Sequence, residues 1–143
     1  MKSKCIIVDI DGTVALMQGN RGPFEFHKVN GDSPNVWVID IIKAYLKVYD
    51  DVTLMFLSGR SDECFDDTNK WLQEHFRGID YYLNMRPKEQ YWEKDAKVKL
   101  EMYRKHVEPI YDVLCVFDDR KQVVDMWRNA LGLNVCQVAE GNF

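Results

Sequence analysis

The chain has no apolar run long enough to cross a bilayer. Its longest are Cys5–Val8, Val36–Ile39, Val52–Leu57 and Val113–Phe117, all far short of the roughly 18 residues a membrane helix needs. A signal peptide is not expected either. After Met1-Lys2-Ser3-Lys4 only four apolar residues precede Asp9, too few for a targeting core. Cysteine is scarce and unpatterned: Cys5, Cys64, Cys115 and Cys136 lie far apart with no Cys-x-x-Cys pair. That argues against a disulfide framework or a zinc site and points to a reducing, cytoplasmic setting. Histidine is rarer still, and His27, His75 and His106, scattered along the chain, read as surface or boundary residues. Excess positive charge is also missing. A formal net charge of −4 argues against bulk, non-specific nucleic-acid binding, though not against a local contact to one strand end. No repeat, low-complexity tract or linker interrupts the sequence, so one domain over residues 1–143 is expected.

What is present is an apolar fraction of 46%, enough for one core, laid out as alternating strand and helix signals. Lys4–Val8 reads as a buried strand. From Ala15 to Asp32 the chain carries Gly19, Gly22, Pro23 and Asn30-Gly31, a loop or small hairpin flap. Ser33, with Pro34 behind it, is expected to cap a helix whose apolar stripe is Val38, Ile41, Ile42, Tyr45, Leu46 and Tyr49. Val52–Leu57 is the second strand. Ser61 caps the next helix, with Asp62 and Glu63 in its first turn and Phe65, Leu72 and Phe76 on its buried side. Tyr81–Leu83 reads as an edge strand and Glu93–Lys105 as a charged helix. Val113–Phe117 is a further strand. A helix from about Arg120 buries Val123, Trp127, Ala130 and Leu131 and ends at Gly132, before a last strand at Val135–Val138. This alternation predicts an α/β fold: a doubly wound, mainly parallel five-stranded sheet with helices on both faces.

In such a sheet, ligands bind outside the carboxyl ends of the strands. Three strands there run into chemically distinctive residues: Asp9-Ile10-Asp11-Gly12-Thr13, Ser58-Gly59-Arg60 and Asp118-Asp119. Lys99 lies on the helix before the last of these. Carboxylates converging on one rim need a cation between them, and oxygen ligands favour a hard ion, Mg²⁺ by default. Residues two apart leave a strand on the same side. Asp9 and Asp11 can therefore both face one reacting atom, one attacking phosphorus while the other moves a proton. Gly12 permits a sharp turn, and Thr13 can hydrogen-bond the loop.

These four motifs, in this order, resemble the haloacid-dehalogenase-like (HAD) superfamily. More narrowly, Arg21-Gly22-Pro23-Phe24, Ser58-Gly59-Arg60, Lys94-Asp95 with Lys99, and the run from Asp118 to Arg128 resemble the 3′-phosphatase domain of phage polynucleotide kinase/phosphatase. The kinase's Gly-rich phosphate loop ending in Lys-Ser/Thr is missing from this sequence. The resemblance implies a HAD-like Rossmannoid fold and a Mg²⁺-dependent polynucleotide 3′-phosphatase for DNA or RNA end healing. By the same resemblance Asp9 is nucleophile and metal ligand. Asp11 is general acid and base, offering its backbone carbonyl to the metal. Ser58 and Lys99 hold phosphate oxygens, Asp118 is the second metal carboxylate, and Asp95 and Asp119 support. Thr13, Arg21, Gly59 and Arg60 are assigned to substrate binding, with the two arginines expected on the open rim. Implied partners are 3′-phosphorylated ends, a separate polynucleotide kinase and a ligase, with no membrane. If the chain is phage-encoded, the compartment is the host cytoplasm.

The stretches Ala15–Asp32 and Arg86–Lys94 are too short for a cap domain, and an uncapped site suits a macromolecular substrate. A small-molecule nucleotidase of the same superfamily is the enzymatic alternative. A signalling receiver would need its phosphorylated aspartate after the third strand, where Asn84-Met85-Arg86-Pro87 stands instead. A silent end-binding module would not need the full acidic set. Seven Lys/Arg against four acids between Arg86 and Lys105 read as a solvated helix face. Trp37, Trp71, Trp92 and Trp127 read as core or boundary packing rather than base-stacking platforms, with Trp92 and Tyr91, amid the basic stretch, the aromatics that a nucleic-acid contact would use.

Overall fold

Cys5 through Val8 have side chains pointing alternately to both sides of a strand, yet all are apolar, and such a run belongs at the centre of a parallel sheet. A computed structural model places it there, describing residues 2–18 and 21–143; Gly19, expected to help shape the flap, lies outside them. The elements run β1 (Ser3–Val8), β2 (Ala15–Leu16), β3 (Ser33–Pro34), α1 (Val36–Val48), β4 (Val52–Ser61) and α2 (Phe65–His75). They continue with β5 (Tyr81–Arg86), α3 (Asp95–Met102), β6 (Tyr111–Asp118), α4 (Lys121–Asp125) and β7 (Val135–Gln137). The five-stranded sheet has the order β5-β4-β1-β6-β7, and every pairing in it is parallel. From β1 the chain moves out to β4 and β5, then returns to β6 on the other side. The strand order therefore reverses between β1 and β6.

The alternation along β1 feeds two cores. Ile6 and Val8 pack with Leu54, Phe56, Val38, Ile42, Trp71, Leu72 and Phe76 beneath α1 and α2. Cys5 and Ile7 pack with Met55, Leu57, Val98, Met102, Val116, Val123 and Trp127 beneath α3 and α4. Helices thus cover both faces, as the alternation predicts. No cap domain is present among the described residues, and none of their helices is long and apolar enough to cross a membrane.

Several local expectations are corrected. Ser33 and Pro34 do not begin α1; they form β3, antiparallel to β2. A residue before proline is driven into extended geometry, so Ser33 suits a strand. Asn35 then precedes the helix, and its side chain donates to Thr13 O at 2.8 Å while its N–H donates to Val14 O at 2.8 Å. The flap is thereby closed by a two-residue ribbon and tied to the loop after β1. Ile41, Tyr49 and Phe65 are exposed rather than buried, as is Ala130. β4 runs four residues past the expected end, because its register with β5 shifts between Ser58 and Ser61 and Arg86 still finds a partner at Ser61. Both α3 and α4 widen into π turns, at Tyr103–Val107 and Met126–Ala130.

Candidate active site

The strand-order reversal puts the ends of β1 and β6 side by side, where a crevice forms in open parallel sheets. Val8 pairs with Phe117, and Asp9 N donates to Phe117 O at 2.9 Å, so Asp9 and Asp118 leave the sheet together. Gly12 adopts φ 79°, and a Cβ there would sit 2.1 Å from Asp119 Oδ2. Only glycine allows both the left-handed turn and that approach. Thr13, expected to bind substrate, is instead fully buried, and its hydroxyl donates to Asp9 Oδ2 at 2.9 Å.

Lys99 enters this group from α3 with 1% of its surface exposed. Its ammonium lies 2.6 Å from Asp9 Oδ1, 3.3 Å from Asp118 Oδ2 and 3.8 Å from Asp95 Oδ2. Asp118 is held further by N–H groups of Asp119 and Arg120 on Oδ1 and by the Trp127 indole N–H on Oδ2. The π turn at Met126–Ala130 carries that indole. Burial opposes the charge on Lys99, but Asp118 and Asp9 outweigh it and hold the ammonium protonated. Burial, then Asp118, pushes the Asp9 carboxyl well above its usual range. Burial likewise raises Asp119, with Asp118 adding to it.

Asp9, Asp118 and Asp119 each offer an oxygen within 4.8 Å of the others. Fully ionised, three carboxylates against one ammonium leave two negative charges in a buried space. An all-oxygen donor set with that excess fits a hard divalent cation. Asp119 stands closer to this group than its expected supporting role requires, whereas the Asp11 carboxylate is outside it and paired with Arg60.

Asp11 is the accessible acid, with 35% of its side chain exposed. Arg60 donates to it from Nε at 3.1 Å and from Nη2 at 2.8 Å. The same guanidinium donates to Asp32 Oδ2 at 2.8 Å and to Thr68 Oγ1 at 3.0 Å. Arg21 lies 3.4 Å from Asp32 and 3.6 Å from Asp11. Neither arginine is on the open rim: Arg60 is 1% exposed and Arg21 8%. Both are drawn inward because Asp32, fully buried, needs cationic partners. Asp32 had no sequence signal, being one acid in an irregular flap, yet it anchors both guanidiniums; Trp71 Nε1 in turn donates to its carbonyl at 2.9 Å.

Ser58 is fully buried beside this pair, its Oγ accepting the Arg60 N–H at 3.1 Å. Gly59 stays partly exposed, and a Cβ on it would lie 2.0 Å from Asp95 Oδ1. Asp95 also meets Arg86 at 3.4 Å and Arg120 at 3.6 Å, two arginines the motifs did not single out. The structure thus brings Asp9, Asp118, Asp119, Lys99 and Thr13 into one cluster and Asp11, Arg21 and Arg60 into a second. Ser58 adjoins the second through Arg60, and Asp95 with Gly59 adjoins the first.

Residues 3–143 match the family described as "Polynucleotide kinase PNKP phosphatase domain". A putative bifunctional polynucleotide kinase/RNA ligase of Autographa californica nuclear polyhedrosis virus is 36% identical over 138 residues, covering 94% of this chain and 20% of the relative. Among solved structures, chains from two structures of a Pnkp1/Rnl/Hen1 complex, one described as an RNA repair complex, superpose with TM-scores of 0.89. Their identities are 32% and 33%; the match covers 99% of this chain in each case and 44% and 47% of theirs. The chain therefore spans a fifth to about half the length of these relatives. Match, sheet order and acidic cluster agree: this chain belongs to the family of polynucleotide kinase (PNKP) phosphatase domains.

Proposed function

We propose that residues 1–143 act as one domain, a Mg²⁺-dependent polynucleotide 3′-phosphatase that removes the terminal phosphate from DNA or RNA ends during healing and repair. The observation that carries it is the buried Asp9–Lys99–Asp118 cluster at the strand-order reversal, in a chain matched nearly end to end to this family. Relatives described as a kinase/RNA ligase and an RNA repair complex make RNA ends the first substrate to test. They also make a polynucleotide kinase and a ligase, on the same polypeptide or another, the expected partners.

In this reading an Asp9 oxygen attacks phosphorus as the bond to the sugar 3′-oxygen breaks. Asp11 gives its proton to that oxygen, leaving a free 3′-hydroxyl and an acyl phosphate on Asp9. Water then attacks phosphorus while Asp11 takes its proton, which releases phosphate and regenerates Asp9. Asp11 suits this exchange because it is the acid that leaving group and water can both reach. Arg60 acts through Asp11, fixing its direction, while Arg21, whose guanidinium nitrogens are buried with no hydrogen-bond partner among the described residues, is left to meet substrate oxygens. Lys99 and the Ser58 hydroxyl hold phosphate oxygens. Asp9, Asp118 and the Asp11 carbonyl, with Asp119 beside them, would hold Mg²⁺. When bound, the ion offsets the crowded carboxylates and polarises the phosphoryl oxygen.

Turnover of short oligonucleotides bearing a 3′-, a 5′- or a 2′,3′-cyclic phosphate, beside 3′- and 5′-mononucleotides, tests the reading. The 3′-phosphorylated oligonucleotide should have the highest kcat/KM, with loss of activity in EDTA and recovery with Mg²⁺. Preference for free mononucleotides would move the chain to the nucleotidase reading, and full activity after exhaustive chelation would remove the metal.

A further inference from the structure

Two of the most exposed aromatic rings lie next to each other and next to the site. Tyr91 is 81% exposed and Trp92 68%. They are the corner residues of a turn closed by Glu93 N donating to Gln90 O at 3.0 Å. Turn corners normally carry glycine, proline or small polar residues. Rings this exposed bury little area and add little to the fold.

The turn is nevertheless held firmly. One nitrogen of Arg86 donates to Gln90 O at 2.8 Å and Glu93 O at 2.6 Å, the two carbonyls that frame the rings. Its Nε donates to Gly59 O at 2.8 Å, and its other terminal nitrogen meets Asp95 Oδ1 at 3.4 Å. A single guanidinium thus fastens the aromatic pair to the peptide between Ser58 and Arg60 and to the acid beside Lys99. The surroundings suit a polyanion: exposed Lys88 and Lys94 flank the turn without an ion pair among the described residues. Glu93 is already engaged by Lys97 at 3.2 Å, and the opposing charges are Glu89 and Asp62, whose Oδ1 accepts the Lys88 N–H at 3.2 Å.

We propose that Tyr91 and Trp92 form a stacking platform for the unpaired nucleobases beside the 3′-phosphate, making single-stranded nucleic-acid ends the favoured substrate. This rests on the polynucleotide reading of the site. Every base has a π face, so such a platform selects unstacked strands over small esters without reading sequence. It also supplies what two inward-facing arginines cannot, a grip on the substrate beyond its reacting phosphate.

The test uses one 3′-phosphorylated hexanucleotide in two forms, with normal bases or with abasic sugars at the two 3′-terminal positions. Stacking on this scale predicts a loss of about tenfold or more in kcat/KM for the abasic form with the unaltered protein, carried by KM. Trp92→Ala should show a similar loss on the normal form and little further loss on the abasic one, since both remove the same contact. Trp92→Phe should recover most of the affinity, and Trp92→Leu, apolar without a π face, should not. Equal turnover of the two forms, or fully additive losses, would overturn the platform while leaving the phosphatase assignment intact. Hydrolysis of p-nitrophenyl phosphate and mononucleotides with none of either hexamer would overturn both.

Discussion

Lys99 and Arg60 each bring a full charge into the interior, 1% exposed, and each is met there by carboxylates on two sides. Removing one member of such a group leaves its partners desolvated and unpaired, which costs more than the pair was worth. Arg60→Ala should therefore lower stability by about 3–5 kcal/mol, read as a lower urea midpoint at unchanged slope. Arg60→Lys keeps the charge but lacks the fork that reaches Asp11, Asp32 and Thr68 together, and should fall between. A midpoint unmoved in Arg60→Ala would mean that Asp32 finds another cation. Asp9→Asn behaves oppositely. With Asp9 as the covalent nucleophile proposed above, it should cut turnover by at least ~10³-fold, because no neighbour replaces that oxygen. Yet the folded state holds the Asp9 carboxyl well above its usual range through burial and Asp118. The stability linked to that proton is present at low pH and lost as pH rises through the folded value. Asparagine has no proton to lose, so at pH 7 in EDTA the variant should match or exceed the parent's melting temperature. Near-normal activity in the folded variant would falsify the aspartyl-phosphate route.

Elements position these residues through irregularities rather than through regular geometry. β4 extends to Ser61, but the register shift after Ser58 leaves Gly59 and Arg60 outside the ladder with β5. Such a bulge re-aims side chains, and here it sends Arg60 towards Asp11 while Gly59 lies against Asp95. Gly59→Ala places a methyl group 2.0 Å from the Asp95 carboxylate, so the start of α3 must retreat and carry Lys99 with it. Activity should drop by about 10²-fold, as for a displacement on the order of 1 Å at a reacting group, with the far-ultraviolet circular dichroism unchanged. Wild-type activity would show that Asp95 can rotate away at no cost to Lys99.

At the scale of the whole molecule, the two cores and the sheet between them decide which groups solvent can reach. Cys5 lies on central β1, fully buried, and burial raises its thiol to about 12, with Cys115 and Asp112 adding to the shift. Cys136 is exposed on edge strand β7. A thiol reagent at pH 8 should modify Cys136 first and leave Cys5 and Cys64 untouched until denaturant unfolds the sheet. Cys5 reacting as fast as Cys136 in the native protein would contradict the central placement of β1. No cap covers these groups among the described residues: Asp11 is partly exposed, and Tyr91 and Trp92 are exposed.

The sequence by itself determined the order of strands and helices, the parallel α/β architecture, and the acidic residues at the strand ends. Those properties are local. A β-branched run makes a strand, and the residue that follows it must emerge at the sheet's carboxyl end, so Asp9 and Asp118 could be placed before any contact was known. What only the tertiary structure decided was where the long side chains went. Arg21 and Arg60, expected on the rim, turn inward because Asp32, brought in by a flap with no periodic signal, is buried and needs their charge. Ser33 joined a ribbon instead of a helix because its partner Leu16 lies across that flap. Asp95 became the meeting point of Lys99, Arg86 and Arg120 because the bulge in β4 brought Gly59 against it. Each outcome depends on which distant group supplies the nearest opposite charge or pairing edge, and that is settled only when the sheet has assembled.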